Sequence, residues 1–235
     1  MTSSFDRYQE SYGDAVNSSI AFSGADVDFF AKLKADDLVD TLRRRLDGGG
    51  KPRVLDVGCG TGLTDAYLVG RVGELHGADV SKGLLDAARA ANPQVGYHEF
   101  DGVTLPFEDA AVDAAFAICV LHHIEPYDRQ AFVQEMRRVT RPGGLVLLYE
   151  HNPFNPLTRV AVSRCEFDEG VVLLRLREAR RLLRSAGAPP VESRYIAFFP
   201  WSTRFLRTIE RGLSRLPLGA QYVVAGRSAA STSSP

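Results

Sequence analysis

Cysteine is scarce, long apolar runs are missing, and the charges nearly cancel. The three cysteines, Cys59, Cys119 and Cys165, have a spacing that fits neither a zinc site nor a disulfide framework. Reduced thiols are therefore expected, and no metal site. No stretch approaches the roughly 18 apolar residues of a membrane span. Met1 to Asp6 lack the basic and apolar regions of a secretion signal, so a cytoplasmic location is expected. A net charge of −1 over 235 residues supplies no global field for nucleic acid or acidic lipid. Neither is expected as a partner, and the chain is expected to be a monomer or homodimer. There is no Gly-Lys-Ser/Thr phosphate loop and no internal repeat.

What is present suits one α/β domain with a large core. Val27, Phe30, Leu33, Leu38, Leu42 and Leu46 follow helical spacing, with Asp26 as the cap and Gly48-Gly49-Gly50 as the stop. The period then changes. Strands are predicted over 53–57, 75–80, 96–100, 112–120, 145–149, 195–199 and 221–225. Helices are predicted over 63–72, 81–91, 127–140, 171–186 and about 202–216, with a loop over 150–170 and a disordered tail over 228–235. Such alternation implies a doubly wound sheet, with ligands beyond the carboxyl ends of its strands. Between Arg159 and Arg215 twelve arginines face six acids. They suit either a solvated helix face or a basic rim for an anionic substrate.

The most informative segment is Val54-Leu55-Asp56-Val57-Gly58-Cys59-Gly60-Thr61-Gly62. Glycines after a strand and before a helix let the backbone turn sharply and approach a ligand. The nicotinamide fingerprint needs a small residue one place later, where Leu63 stands. A carboxylate at Asp56 would repel a pyrophosphate, but it suits an ammonium group or the amide donors of a tightening loop. Asp79 ends the second predicted strand, placed to accept from ribose hydroxyls. Asp101 ends the third.

Asp56 to Gly62 resembles motif I of the class I S-adenosylmethionine (SAM) dependent methyltransferases. The resemblance runs from about Phe5 to Ala225 and takes in Gly77 to Ser81, Pro106 to Asp109 and Arg141 to Gly144. It implies a Rossmann-like α/β fold with a seven-stranded sheet whose last strand is antiparallel. It also implies a helical lid over 1–46, with Tyr8, Tyr12, Phe29, Phe30 and Lys34 as candidate lid residues. The methyltransferase domain would follow over 47–227, with 150–170 as its substrate loop. The cofactor would be SAM and the product S-adenosylhomocysteine. Asp56, Gly58, Cys59, Gly60, Gly62, Asp79, Val80, Asp101, Gly102 and Cys119 are the implied cofactor residues, with Asp79 on the ribose and Asp101 on the adenine amino group. Lys34 or an arginine would pair the SAM carboxylate. Asp113, at the far end of its strand, is left to a structural role.

Methyl transfer is an in-line displacement, so alignment and exclusion of water are the main tasks, and a hydroxyl acceptor gains from a nearby base. His122 and His123 follow the fourth strand and His151 follows the fifth; these are the candidate catalytic residues. His122 is favoured over His123 to face the substrate. His76 and His98 read as packing residues. The expected acceptor is a small molecule, such as a sugar, a glycan precursor or a natural-product intermediate, methylated on oxygen or nitrogen. The alternative is the same fold turned to cyclisation or decarboxylation.

Overall fold

The protein, described from a computed structural model, is placed for residues 17–21, 24, 26–48, 50–199, 209–210 and 212–229. Its strands are β1 (Val54–Val57), β2 (Leu75–Asp79), β3 (Gly96–Glu99), β4 (Val112–Ile118), β5 (Thr140–His151), β6 (Pro190–Ile196) and β7 (Gln221–Arg227). Its α-helices are α1 (Val27–Arg45), α2 (Lys82–Ala91), α3 (Arg129–Val139), α4 (Pro156–Arg164) and α5 (Leu176–Ser185). The strands form one sheet in the order β3-β2-β1-β4-β5-β7-β6. β7 runs antiparallel to both neighbours, and the remaining pairs are parallel. This is the expected seven-stranded α/β sheet with an antiparallel last strand.

The central strands are apolar on both faces because both faces are covered. Leu55, Ala115, Val146, Leu148 and Val224 meet Val133 and Met136 of α3 and Leu182 and Leu183 of α5. The alternate residues Val54, Phe116, Leu145, Leu147 and Val223 meet Leu38 and Leu42 of α1 and Leu85 of α2. The two-residue alternation of a strand thus feeds two separate cores.

Several boundaries differ from expectation. Residues 63–72 form turns around a short 3-10 helix, Asp65–Tyr67, rather than an α-helix. Gly70 adopts φ +74° inside the segment, and the Asp65 side chain is pulled inward by Tyr97. The segment 150–170 is largely helical. Asn155 caps α4 by accepting from the Thr158 amide, and Pro156 opens the helix, where a missing N–H costs nothing. β5 starts earlier than expected, so Arg141-Pro142-Gly143-Gly144 lies inside the strand as an irregularity. β6 covers 190–196 rather than 195–199, and α5 begins at Leu176 rather than 171. The helix expected near 202–216 falls mostly outside the described residues. Ser228 is buried and bonded to Gly144, so the tail is held at least to that point.

The expected lid needs revision at α1. Its buried residues, from Ala31 to Leu42, are part of the core. Asp37 accepts from Arg194 at 2.6 Å and from the Tyr149 hydroxyl at 2.9 Å, tying the helix to β6 and β5. Val27, Phe30 and Lys34, on its first two turns, reach the ligand cavity. Tyr8 and Tyr12 lie outside the described residues. On α5, Arg177, Arg180, Arg181 and Arg184 are exposed and away from the cavity, which is the solvated-face arrangement. Among the described residues no helix is long and apolar enough to cross a membrane.

Candidate active site

The strand order reverses between β1 and β4, and the carboxyl ends of these two strands diverge there. They open on a cavity of about 830 Å³, near the upper end of the range of small-molecule sites. Gly58, Gly60, Asp79, Val80, Gly102, Cys119, His122, His123 and His151 line it. Asp56, Cys59, Gly62 and Asp101 do not.

One end is built by the glycine loop and β2. Asp79 accepts from the Gly60 amide at 2.8 Å and from the Ser81 amide at 2.9 Å, so it fixes the loop while standing in the cavity wall. A side chain at Gly60 would enter open space, at φ +55°. Gly62 differs. At φ +70° its missing side chain leaves room for the Tyr97 hydroxyl and the Asn92 amide beneath the loop. Asn92 also donates to the Gly62 carbonyl at 2.9 Å, and the Tyr97 hydroxyl donates to Asp65 at 2.8 Å. Gly62→Ala is expected to cost about 3 kcal/mol of stability in urea unfolding, from backbone strain plus overpacking. Gly60→Ala should cost about 1 kcal/mol, the left-handed backbone alone. Equal losses would contradict these separate roles.

Asp56 lies under the loop rather than in the cavity. Burial, then the neighbouring Asp65 and Asp79 carboxylates, push its pKa well up, and it is hydrogen-bonded to Asp65. Burial raises Asp65 to about 7, against the hydrogen bonds from Tyr97 and Asp56 that favour its charged form. The two buried acids therefore both hold their protons above the ordinary carboxylate range. Cys59 is half-buried with its sulfur beside Gly77, and desolvation raises its thiol pKa. Asp101 is exposed. Its carboxylate accepts from the Val103 and Thr104 amides at 2.8 and 2.7 Å, which lowers its pKa.

The other end begins at Cys119, which takes the left-handed conformation, φ 56°. That is rare for a residue with a side chain and is found at functional strand ends. The chain then enters a short 3-10 turn, Leu121–His123, held by Glu150 at the end of β5. Glu150 Oε1 accepts from the Leu121 amide at 2.8 Å and the Val120 amide at 3.1 Å. Its Oε2 lies 2.7 Å from His122 Nδ1. Asp168, from the turn after α4, lies 3.4 Å from the Nε2 atoms of both His122 and His123. Burial opposes a charge on His122, but Glu150 and Asp168 outweigh it and push its pKa up to about 10. Burial and the His122 charge lower His123 and His151 to about 4. His122, favoured in the sequence as the proton acceptor, is thus a proton donor between two carboxylates at neutral pH. The His151 ring is tilted against it, with ring centroids 5.1 Å apart. His76 and His98 pack on Phe107, away from the cavity.

Asp168 and the Asp65–Tyr97–Asn92 network have no sequence signal, since their partners are distant in the chain. Glu150 had a weak one, a carboxylate at a strand end. Arg129 is buried and donates to the Ile124 and Val172 carbonyls, pinning the loop behind His123. The irregular turns at Asn152 and Asn155 were legible as a loop. Their amides reach the carbonyls of Pro217, Gly219 and Leu218, which close this end.

Residues 55–148 match the family described as "Methyltransferase domain". This stretch of the chain is thus a methyltransferase domain, in agreement with the resemblance to the class I SAM-dependent methyltransferases. Among curated proteins it is 36% identical to "Methyltransferase GfsG" of Streptomyces halstedii, over 46% of this chain and 40% of that one. It is 37% identical to "O-methyltransferase resE" of Aspergillus sclerotiorum, over 42% and 39%. The chain therefore spans less than half the length of these relatives. A solved SAM-dependent methyltransferase of Thermotoga maritima, described as a possible histamine N-methyltransferase, shares the fold. Its TM-score is 0.67 at 19% identity, covering 95% of this chain and 97% of that one.

Proposed function

We propose that the protein transfers a methyl group from SAM to an oxygen of a small acceptor with a substantial apolar body. The observation that carries this reading is one cavity with two chemically distinct ends. One end has the Asp79 carboxylate and the open side of Gly60. The other has the imidazoles of His122, His123 and His151, and the cavity wall also carries Phe198, Leu157 and Val162. The apolar wall favours a natural-product-like acceptor over a bare sugar. The similarity to a protein named an O-methyltransferase supports oxygen as the acceptor atom.

The residues present fit the cofactor. The Asp79 carboxylate, fixed in the cavity wall by the Gly60 and Ser81 amides, stands where it would accept from ribose hydroxyls. Lys34 is buried at the cavity wall and has no hydrogen bond or salt bridge among the described residues. Its ammonium suits the methionine carboxylate. Val80 and Gly102 provide a wall for the adenine. When bound, SAM supplies the electrophilic methyl. The chain's own residues orient the two partners, exclude water and place imidazoles beside the acceptor. His151 is the residue assigned to assist the acceptor oxygen, by its position at the end of β5.

The test is formation of S-adenosylhomocysteine from labelled SAM across a panel of apolar hydroxylated acceptors. Calorimetric titration with SAM runs alongside. His151→Ala should lower kcat roughly 100-fold or more, the usual range for a lost general base, and leave SAM affinity unchanged. An unaltered kcat removes His151 from this role. A wild-type chain that binds no SAM overturns the whole reading.

A further inference from the structure

We propose that His122, His123 and Asp168 hold one divalent transition-metal ion at the acceptor end of the cavity. The three residues come from two places. The histidines sit in the turn after β4, and Asp168 in the turn after α4. One donor atom from each lies within 4.8 Å of the other two. Asp168 Oδ1 stands 3.4 Å from Nε2 of His122 and 3.4 Å from Nε2 of His123. Nitrogen and oxygen ligands bind zinc at about 2.0–2.2 Å, so two ligands of a tetrahedral ion are roughly 3.3–3.5 Å apart. The two measured edges have that length.

The support around the three residues is what an ion requires. A metal-binding histidine usually gives its other ring N–H to a carboxylate, which fixes the tautomer. Glu150 Oε2 takes this position at 2.7 Å from His122 Nδ1, while Oε1 is anchored by the Leu121 and Val120 amides. With Nδ1 donating to Glu150, the His122 Nε2 lone pair points toward Asp168. Glu150 is fully buried and the Asp168 side chain is 10% exposed. Without an ion a proton on His122 lies between the two desolvated carboxylates; a divalent ion in its place supplies both charges. Two imidazole nitrogens and one carboxylate oxygen suit Zn²⁺, Fe²⁺, Co²⁺ or Ni²⁺ over Mg²⁺ or Ca²⁺. All three residues line the cavity, so the ion's remaining positions face the acceptor.

The sequence suggested no metal, because its argument rested on cysteine spacing. The site has no cysteine, and its carboxylate is remote in the chain. The consequence for catalysis rests on the methyl-transfer reading: an ion here would take acceptors with paired oxygen donors, such as vicinal hydroxyls or a hydroxyl beside a carbonyl. The metal site itself does not depend on that reading.

The test uses the full chain, stripped with chelator and titrated with ZnCl₂ by calorimetry and with CoCl₂ by visible absorption. One ion per chain is expected, with a Co²⁺ ligand-field spectrum of nitrogen and oxygen donors. His123→Ala and Asp168→Asn, both at partly exposed positions, should each weaken binding at least 100-fold. Glu150→Gln should weaken it about 10- to 100-fold, as outer partners of ligating histidines do. Circular dichroism and SAM titration of each variant confirm that the fold and the cofactor end are intact. Wild-type protein that binds neither ion overturns the proposal, and leaves His122 as an imidazolium held by two carboxylates. So does unchanged affinity in folded His123→Ala and Asp168→Asn. Metal binding without S-adenosylhomocysteine formation would uphold the ion site and reject the methyl-transfer reading.

Discussion

Asp79→Ala is expected to weaken SAM binding about 100-fold in a calorimetric titration, with the fold retained. Asp79 is only 8% exposed, in the wall at the end of β2, and its carboxylate already holds the loop through Gly60 and Ser81. On the proposed reading, two charge-assisted hydrogen bonds to ribose hydroxyls would contribute about 1.5 kcal/mol each at the low end, together about 3 kcal/mol. At 1.4 kcal/mol per tenfold, that gives the stated factor. Asp101→Ala should have a smaller effect, because Asp101 is exposed and its oxygens serve its own turn. If the two variants lose affinity equally, Asp79 has no special part in holding the ribose.

The second large effect is a pH-dependent one beneath the glycine loop. In the folded protein Asp65 keeps its proton to about 7, against about 4 for an unfolded aspartate. Between those values the native state binds more protons than the unfolded one, so this group's contribution to stability falls as pH rises. At 1.36 kcal/mol per pH unit the fall is on the order of 4 kcal/mol across the window. Asp65→Asn removes this titration while the amide can still accept from Tyr97. Other groups act in the same range: His123 and His151, lowered to about 4, favour the fold increasingly from about 4 to 6.5. The informative quantity is therefore the stability difference between wild type and Asp65→Asn, measured by urea unfolding from pH 4 to 8. The variant should gain on the wild type steadily up to about pH 7, then run parallel. A difference independent of pH would mean that Asp65 ionises normally. Asp79, Cys59, Tyr97 and Lys34 surround the Asp56–Asp65 pair.

The fold was legible because its signals are local. Strand–glycine–helix punctuation, continuous apolar strands and an acid at the end of β2 each sit within a few residues of one another. The misjudged elements have local causes as well. The segment 63–72 has helical spacing, but Gly70 and the inward pull on Asp65 break it into turns. The start of α4 was marked by Asn155-Pro156, a cap followed by a first-turn proline, and reads as a helix once the proline is taken as an opening rather than a break.

The site was legible only in part. Position along a strand tells which residues arrive at a carboxyl edge, so Asp79, His122 and His151 could be placed there. It does not tell which way a side chain turns. Asp56 and Cys59 turn under the loop, Asp101 turns back on its own amides, and Gly62 faces Tyr97. Nor does it reveal partners brought from elsewhere in the chain, such as Glu150 on one side of His122 and Asp168 on the other.

By itself, then, the sequence determined the doubly wound sheet, the glycine loop at its switch point and the acid that stands beside it. These follow from period, backbone freedom and spacing, which are properties of short stretches. Only the tertiary structure decided how the charges are arranged. The raised pKa values of Asp56 and Asp65, and the two carboxylates that enclose His122, arise because folding removes water from groups brought together across the chain. In that dry setting the neighbours, rather than the residue type, set which atoms carry a proton and which could hold an ion.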